Sequence, residues 1–277
     1  METIENKTFD EERALYGCAD VMLVGCSFDG ARDGESALKE ARNIKAEACY
    51  FNLRYPFWHD DKIEIDKCGM SDKCRAPLWY STSIKITESV MNGTKALREC
   101  DGVSIDNTVI NSAEFGWFSK DIKIKDSQIT SEYCMLKAGN ISMTDVKFQG
   151  KYSFQYIENA IFEDCEFFTK DAFWHAKDVT VKNSVVEGEY LGWYSEGLTL
   201  INCKIIGTQP LCYCKNLKLV DCEMIGCDLS FEKSEVNATL TAPLLSIKNP
   251  LSGEIIAPVI DEIVDEISGG KCKITVG

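Results

Sequence analysis

The chain has 277 residues, of which 45% are hydrophobic and 27% are charged, an ordinary composition for a soluble protein. The net charge of −14 at pH 7 repels phosphate backbones and anionic bilayers, so we expect neither nucleic acid nor a membrane surface as a partner. The first twenty residues contain no apolar signal core, and no apolar run approaches about 18 residues. The composition therefore predicts a cytoplasmic protein without a membrane span.

A pair of apolar residues, separated by one residue, recurs through most of the chain. Residues 1–20 precede the pairs, are polar and irregular, and are predicted to form an N-terminal cap. The pairs are Val21/Leu23, Ile44/Ala46, Ile63/Ile65, Ile84/Ile86, Val103/Ile105, Ile122/Ile124, Ile141/Met143, Ala160/Phe162, Val179/Val181, Leu198/Leu200, Leu217/Leu219 and a fading copy at Val236/Ala238. From Ile84 to Leu217 every step is 19 residues. A fixed period of this length is typical of a solenoid, in which each repeat packs on its neighbours.

Each repeat divides into three short strands and three turns. The alternating apolar pair shares one face of the first strand. Two residues after the pair, seven successive repeats carry Asn or Asp, which tolerate left-handed backbone and predict a sharp bend: Asn107, Asp126, Asp145, Asp164, Asn183, Asn202 and Asp221. Leucine-rich repeats have longer units, and hexapeptide helices require a six-residue subperiod that is absent. The pattern favours an all-β, right-handed parallel β-helix of about 12 rungs in a single domain over residues 1–277.

Two segments depart from the regular rungs, which we place at residues 21–235. The insertion at 29–43 contains the string ESALKEAR, and Asp33 is a candidate N-cap for a short helix in a loop. Residues 236–277, where the period decays, are predicted to form degenerate rungs and a C-terminal cap.

Six of the 14 cysteines share one column of the repeat: Cys26, Cys49, Cys68, Cys165, Cys203 and Cys222. A linear internal column does not place ligands around one point, so we predict free thiols in the core and no metal site. Cys212 and Cys214 form a lone C-x-C pair, which is a weak metal signal.

All five tryptophans occupy one column of the third strand: Trp58, Trp79, Trp117, Trp174 and Trp193. Because strand residues alternate between faces, and the following column contains Glu and Lys, we assign the tryptophans inward and their flanking residues outward. The predicted ligand or partner surface is Phe57, His59, Tyr80, Glu99, Phe118, Lys137, Tyr156, His175, Tyr194 and Tyr213. An exposed aromatic face of this size predicts a binding surface for a second copy of the chain, a glycan or a small molecule.

The catalytic signal is weaker. The two histidines, His59 and His175, lie six rungs apart, roughly 29 Å at strand spacing, so they are not expected to share a proton or a metal. The alternative function is a carbohydrate-active enzyme, a hydrolase, lyase or epimerase, with Glu99, His59, Lys137 or His175 as acid or base. Glycoside hydrolysis requires two carboxylates about 5–9.5 Å apart, and the nearest partner for Glu99 is Glu114. No motif predicts a cofactor.

Several strings together resemble the bacterial family catalogued as domain of unknown function 3737. They are RYPFWHD (54–60), ALREC (96–100), KYSFQY (151–156), DAFWH (171–175), GEYLGWYSE (188–196), IIGTQPLCYCKNLKL (205–219) and IKNPLSG (247–253). The resemblance extends from residue 9 to residue 255. It implies a pectin-lyase-like, right-handed β-helix and supplies no activity.

Overall fold

The computed structural model describes residues 1–29, 35–266 and 270–277. The chain folds as two compact units, Met1–Asn140 and Ile141–Gly277, which we call unit 1 and unit 2. Within the described ranges there is no helix, and the chain is an all-β parallel solenoid of about 14 turns spaced roughly 19 residues apart. The predicted fold class is therefore confirmed, while the predicted count of about 12 rungs is too low.

Unit 1 contains strands on all three sides of its rungs. In chain order the strands are β1 (Glu2–Glu5), β2 (Thr8–Phe9), β3 (Ala19–Val24), β4 (Ser27–Phe28), β5 (Arg42–Glu47), β6 (Tyr50–Phe51), β7 (Phe57–Trp58), β8 (Asp61–Asp66), β9 (Gly69–Met70), β10 (Leu78–Trp79), β11 (Thr82–Thr87), β12 (Val90–Asn92), β13 (Leu97–Arg98), β14 (Asp101–Asp106), β15 (Val109–Asn111), β16 (Glu114–Phe115), β17 (Lys120–Lys125), β18 (Gln128–Ser131) and β19 (Tyr133–Cys134). Strand β20 (Gly139–Thr144) begins in unit 1 and ends in unit 2.

The remaining strands belong to unit 2. They are β21 (Lys147–Gly150), β22 (Glu158–Glu163), β23 (Glu166–Phe168), β24 (Lys177–Lys182), β25 (Val185–Glu187), β26 (Thr199–Ile201), β27 (Lys204–Ile206), β28 (Leu217–Ile225), β29 (Glu235–Leu240), β30 (Leu244–Lys248), β31 (Ser252–Ala257), β32 (Ile260–Val264) and β33 (Lys273–Val276). Between β21 and β28 the described rungs carry two strands each, and their third side consists of turns. Isolated bridges such as Lys177 to Glu196 extend the ladder of the first side.

The additional rungs lie in the segments predicted as caps. Strand β1 pairs in parallel with β3, and the buried ring of Phe9 stacks on Phe28 with centroids 4.7 Å apart. At the other end β31 pairs with both β29 and β33. Residues 1–20 and 236–277 thus contribute strands to the solenoid.

The repeat places the apolar pairs in register. In unit 1, Ile63, Ile84, Val103 and Ile122 are successive partners in the parallel ladder, and each is at most 2% exposed. The Asn and Asp column that follows has the predicted left-handed backbone, with φ between 45° and 54° from Asn107 to Asp221. Both features of the first strand are confirmed.

The predicted helix after residue 33 is wrong over the described residues 35–42. Glu35 forms a parallel bridge with Arg54, and Ala37, Leu38 and Ala41 are buried in the core of a rung. The φ angles of Ser36 (55°) and Glu40 (60°) are incompatible with an α-helix. The candidate N-cap, Asp33, lies outside the described residues.

Candidate functional site

The third side of the rungs carries two adjacent columns that face outward at every position except the buried Cys212, and this differs from the prediction. The tryptophan column holds Lys39, Trp58, Trp79, Arg98, Trp117 and Leu136 in unit 1, and Gln155, Trp174, Trp193 and Cys212 in unit 2. The ring column, one residue later, holds Glu40, His59, Tyr80, Glu99, Phe118 and Lys137 in unit 1, and Tyr156, His175, Tyr194 and Tyr213 in unit 2.

The inward assignment of the tryptophans is wrong. All five are partly exposed, whereas Phe57, the predicted surface residue before Trp58, is fully buried. The cause is the backbone of the ring column, where His59 has a φ of 60° and the equivalent residues lie between 51° and 60°. A left-handed residue breaks the two-residue alternation, so Trp58 and His59 both lie outside while Phe57 and Asp60 both lie inside.

The other predicted surface residues lie in the ring column. Tyr80, Phe118, Tyr156 and Tyr194 are 41–46% exposed, His59, Lys137 and His175 are exposed, and Glu99 and Tyr213 are partly exposed. The catalytic candidates His59 and His175 each stack on tyrosines of their own unit, at 5.0 Å from Tyr80 and 4.8 Å from Tyr156.

In unit 2 the ring column is a continuous stack. Tyr156, His175, Tyr194 and Tyr213 follow one another at centroid distances of 4.8, 5.0 and 4.9 Å, with ring planes 9–12° apart. Neighbouring rings therefore cover one another's faces and leave their edges outward. Burial, followed by the charge of Glu232, raises the pKa of the Tyr213 hydroxyl, which donates a hydrogen bond to that carboxylate at 3.3 Å.

In unit 2 the tryptophan column carries side chains with N–H donors, and each of these donors hydrogen-bonds to a backbone carbonyl. Trp174 Nε1 donates to the Tyr190 carbonyl at 2.6 Å, and Trp193 Nε1 donates to the Gln209 carbonyl at 2.7 Å. Gln155 Nε2 makes the same bond to the Asp171 carbonyl at 3.0 Å. Each donor satisfies a turn carbonyl of the next rung, so this column holds the turns together.

In unit 1 the charged residues Arg98 and Glu99 stand in the two columns where neighbouring rungs carry aromatic rings. Arg98 lies between two indoles, with its guanidinium carbon 6.0 Å from the Trp79 ring centroid and 5.3 Å from that of Trp117. The same group lies 5.4 Å from the Phe118 centroid. Cation–π contacts of this kind contribute about 0.5–1 kcal/mol each at exposed sites.

Two carboxylates contact Arg98: the catalytic candidate Glu99, and Glu114, which the sequence predicts as its nearest acidic partner. Arg98 Nε lies 3.3 Å from Glu99 Oε1, and Nη1 lies 3.7 Å from Glu114 Oε2. Lys95 Nζ also lies 3.7 Å from Glu114 Oε2. The Glu99 carboxylate accepts a hydrogen bond from Tyr80, which raises the pKa of that hydroxyl. We call Trp58, Trp79, Arg98, Trp117, Glu99, Glu114, Tyr80 and Phe118 the Arg98 face.

Unsatisfied polar atoms concentrate on this side of unit 1. Five buried side-chain N or O atoms of the described residues have no hydrogen-bond partner, and four of them lie here: Trp58 Nε1, Asp60 Oδ2, Trp79 Nε1 and Glu114 Oε2. Of these four, Glu114 Oε2 is compensated by its ion pairs with Lys95 and Arg98, and the other three are left without a partner. The fifth is Ser230 Oγ in unit 2. Because such atoms are costly, their clustering is a functional signal that the repeat pattern alone does not carry.

Two grooves lie elsewhere. One of about 360 Å³ in unit 2 is lined by residues at and just after the Asn183 and Asn202 bend. The other, of about 320 Å³ in unit 1, lies along the first strands and is lined by Lys45, Glu64 and Lys85 among others. Neither groove is lined by a residue of the Arg98 face. Within the described residues, no three His, Cys, Asp or Glu side chains group as a metal site.

A pair of matched substitutions tests the role of the indole N–H groups. Trp193→Phe breaks the bond to the Gln209 carbonyl, whereas Trp79→Phe removes a donor without a partner. We expect Trp193→Phe to lose about 1 kcal/mol more unfolding free energy than Trp79→Phe, because only the former breaks a hydrogen bond. The Cys212 thiol, 3.5 Å from the Gln209 carbonyl, still donates to that oxygen in the variant. Urea unfolding measures the difference; equal losses would contradict this account of the column.

Comparison with known proteins agrees with the resemblance. Residues 2–276 match the model of a family described as "Protein of unknown function (DUF3737)". The chain belongs to this family. A search of curated proteins gives no match. Within the described residues of this DUF3737 protein, no helical segment has the length and hydropathy needed to cross a bilayer.

Two solved structures are similar to the chain at low identity. One is a trypsin-treated variant of QnrB1, a plasmid-mediated fluoroquinolone resistance protein, with 12% identity, a TM-score of 0.20, and coverage of 85% of this chain and 91% of that one. The other is a variant catalytic domain of GH87 α-1,3-glucanase in complex with tetrasaccharides, with 9% identity, a TM-score of 0.21, and coverage of 99% of this chain and 61% of that one. At these TM-scores neither supports a functional argument.

Proposed function

We propose that the protein binds an extended oligosaccharide along the Arg98 face of unit 1. The observation that carries this proposal is Arg98, held between Trp79 and Trp117 and contacted by the carboxylates of Glu99 and Glu114. Guanidinium and carboxylate groups are planar hydrogen-bonding partners suited to neighbouring sugar hydroxyls. Half-exposed aromatic rings supply apolar surface for the C–H faces of the sugars.

The contrast between the units supports unit 1 as the location. In unit 2 the ring faces cover one another, and the column donors Gln155, Trp174 and Trp193 are all hydrogen-bonded to turn carbonyls. In unit 1 the column contains unpaired donors and a mixed set of charges. An array of rungs at about 4.8 Å spacing also matches an extended ligand better than a compact one.

Paired substitutions on the two units test the location. We expect Phe118→Ala to weaken oligosaccharide binding at least about tenfold, because it removes an exposed ring beside Arg98. Tyr194→Ala, which removes an equally exposed ring from unit 2, is the control and is expected to leave the affinity unchanged. Calorimetry with ligands selected from a glycan array measures both.

Three outcomes would contradict the proposal. The first is that no glycan on a broad array binds, and the second is that Tyr194→Ala weakens binding as much as Phe118→Ala. The third is dimerisation through this face, which size-exclusion chromatography of the wild type and both variants would reveal. The last outcome would support the alternative partner, a second copy of the chain.

A hydrolase is the second candidate, and one observation favours it. Because Glu99 and Glu114 both contact Arg98, their carboxylates lie no more than roughly 9 Å apart, a limit that admits the carboxylate separations of both inverting and retaining glycosidases. Release of new reducing ends from a bound oligosaccharide, abolished by Glu114→Gln, would favour the hydrolase. Binding without release favours the binding function.

The cytoplasm is the proposed location, and the cysteines support it. All 14 thiols are free, and 12 of them are buried in the solenoid. Such a protein is compatible with a reducing compartment, where disulfides are rare.

A further inference from the structure

Two indole N–H groups on the Arg98 face have no acceptor. Trp58 Nε1 and Trp79 Nε1 are buried and unpaired among the described residues. The three other tryptophans donate to backbone carbonyls of the next rung, at 2.8 Å from Trp117 to Tyr133 and at 2.6 and 2.7 Å in unit 2. A buried donor without an acceptor costs free energy, so this pair requires an explanation that the rest of the column does not.

The surroundings of the pair are aromatic and donor-rich. The two indoles stack with centroids 5.7 Å apart and planes 12° apart. Tyr55 packs against both, at 5.6 Å from Trp58 and 6.0 Å from Trp79. The ammonium group of Lys39 lies over the Trp58 ring at 4.4 Å. A ligand that fits here presents an acceptor to the N–H groups and apolar surface to three rings.

A neutral acceptor suits this environment better than an anion. The indole N–H groups are uncharged, and the guanidinium beside Trp79 already pairs with Glu99 and Glu114. A carboxylate buried here would therefore have only the Lys39 ammonium, of the two cations that contact the pair, to compensate its charge. The net charge of the protein, −14, adds a further penalty for an acidic sugar. An amide carbonyl carries no net charge and has two lone pairs that accept hydrogen bonds.

We propose that the Trp58/Trp79 pair selects sugars that carry an N-acetyl group; this inference rests on the proposed oligosaccharide binding. The acetamido carbonyl accepts hydrogen bonds from the unpaired indole N–H groups, and the methyl group packs against the indoles and Tyr55. Because both Nε1 atoms are buried in the free protein, acetamido binding requires that a side chain packed against the pair moves.

Two trisaccharides that differ in the acetamido group test the selection. Triacetylchitotriose carries it on every sugar, and cellotriose has a hydroxyl at the same position. We expect triacetylchitotriose to bind about tenfold more tightly, the effect of one or two neutral hydrogen bonds. Trp58→Phe and Trp79→Phe keep a ring and remove the N–H, so they are expected to bring the two affinities together. Trp174→Phe and Trp193→Phe are the matched controls and should preserve the preference.

The outcomes separate this inference from the proposed function. Equal binding of both trisaccharides by the wild-type protein, or tighter binding of trigalacturonic acid, overturns the acetamido selection and leaves oligosaccharide binding intact. No binding of any saccharide overturns both. Because the trisaccharides are compared on the wild-type chain, the test does not depend on the folding of a variant.

Discussion

Asp60→Asn is expected to stabilise the protein by several kcal/mol at pH 9 and to have little effect near pH 4. Asp60 is 2% exposed and occupies a core column otherwise filled by residues such as Ala41 and Ser81. Its Oδ1 accepts a hydrogen bond from Ala41 N at 2.9 Å, while Oδ2 has no partner among the described residues. Burial is the main reason that the pKa of this carboxyl is raised to about 8.

The raised pKa of Asp60 in the folded protein determines whether its contribution to stability rises or falls with pH. Between pH 4 and pH 8 the unfolded chain ionises Asp60 while the folded protein keeps the proton, so the contribution of Asp60 to stability falls as the pH rises. A pKa difference of about four units between the folded and unfolded states corresponds to a loss of roughly 5 kcal/mol of unfolding free energy once the pH exceeds the folded-state pKa. Asparagine retains the acceptor for Ala41 N and has no proton to lose.

Urea unfolding of the wild type and the variant across pH 4–9 measures this difference. Asp72→Asn, at an exposed site in the same unit, is the control for a general change in charge. A stability difference between Asp60→Asn and wild type that does not change with pH would show that Asp60 is ionised in the folded protein.

Phe57→Ala is expected to destabilise the protein by about 3–5 kcal/mol, the usual loss for a buried phenylalanine. Phe57 is fully buried, and its ring centroid lies 5.1 Å from that of Phe51 in the core. His59→Asn, two residues away on the exposed side, is expected to change stability by less than about 1 kcal/mol, because asparagine tolerates its left-handed backbone.

Urea unfolding of these two variants distinguishes the observed arrangement from strict strand alternation. Alternation with the tryptophans inward places Phe57 and His59 together on the surface, so it predicts small effects for both. A small loss for Phe57→Ala would therefore contradict the orientation of the third side.

The first strand and its bend were predictable because their chemistry is local. Ile84 and Ile86 show the two-residue period of a strand, and Asn107 belongs to a residue type that favours left-handed backbone. The third side was not predictable in the same way. His59, Tyr80 and Glu99 give no local signal of a positive φ, yet all three have one because the rung must close on its neighbours.

Two sequence features did point to the observed orientation. Arg98 and Gln155 occupy the tryptophan column, and a polar side chain there fits an outward position better than an inward one. The Arg98 face itself could not be assembled from the sequence. Glu114 lies 16 residues after Arg98, in β16 of the next rung, and only the stacking of the two rungs brings its carboxylate to the guanidinium.

The most direct test of oligosaccharide binding by unit 1 is the NMR spectrum of the five tryptophan indole N–H groups. The signals are assigned from the individual Trp→Phe variants, and an oligosaccharide selected from the array is then added. We predict that the Trp58, Trp79 and Trp117 signals shift with increasing ligand, while those of Trp174 and Trp193 stay in place. Shifts confined to Trp174 and Trp193, or no shift at saturating ligand, would contradict the proposed site.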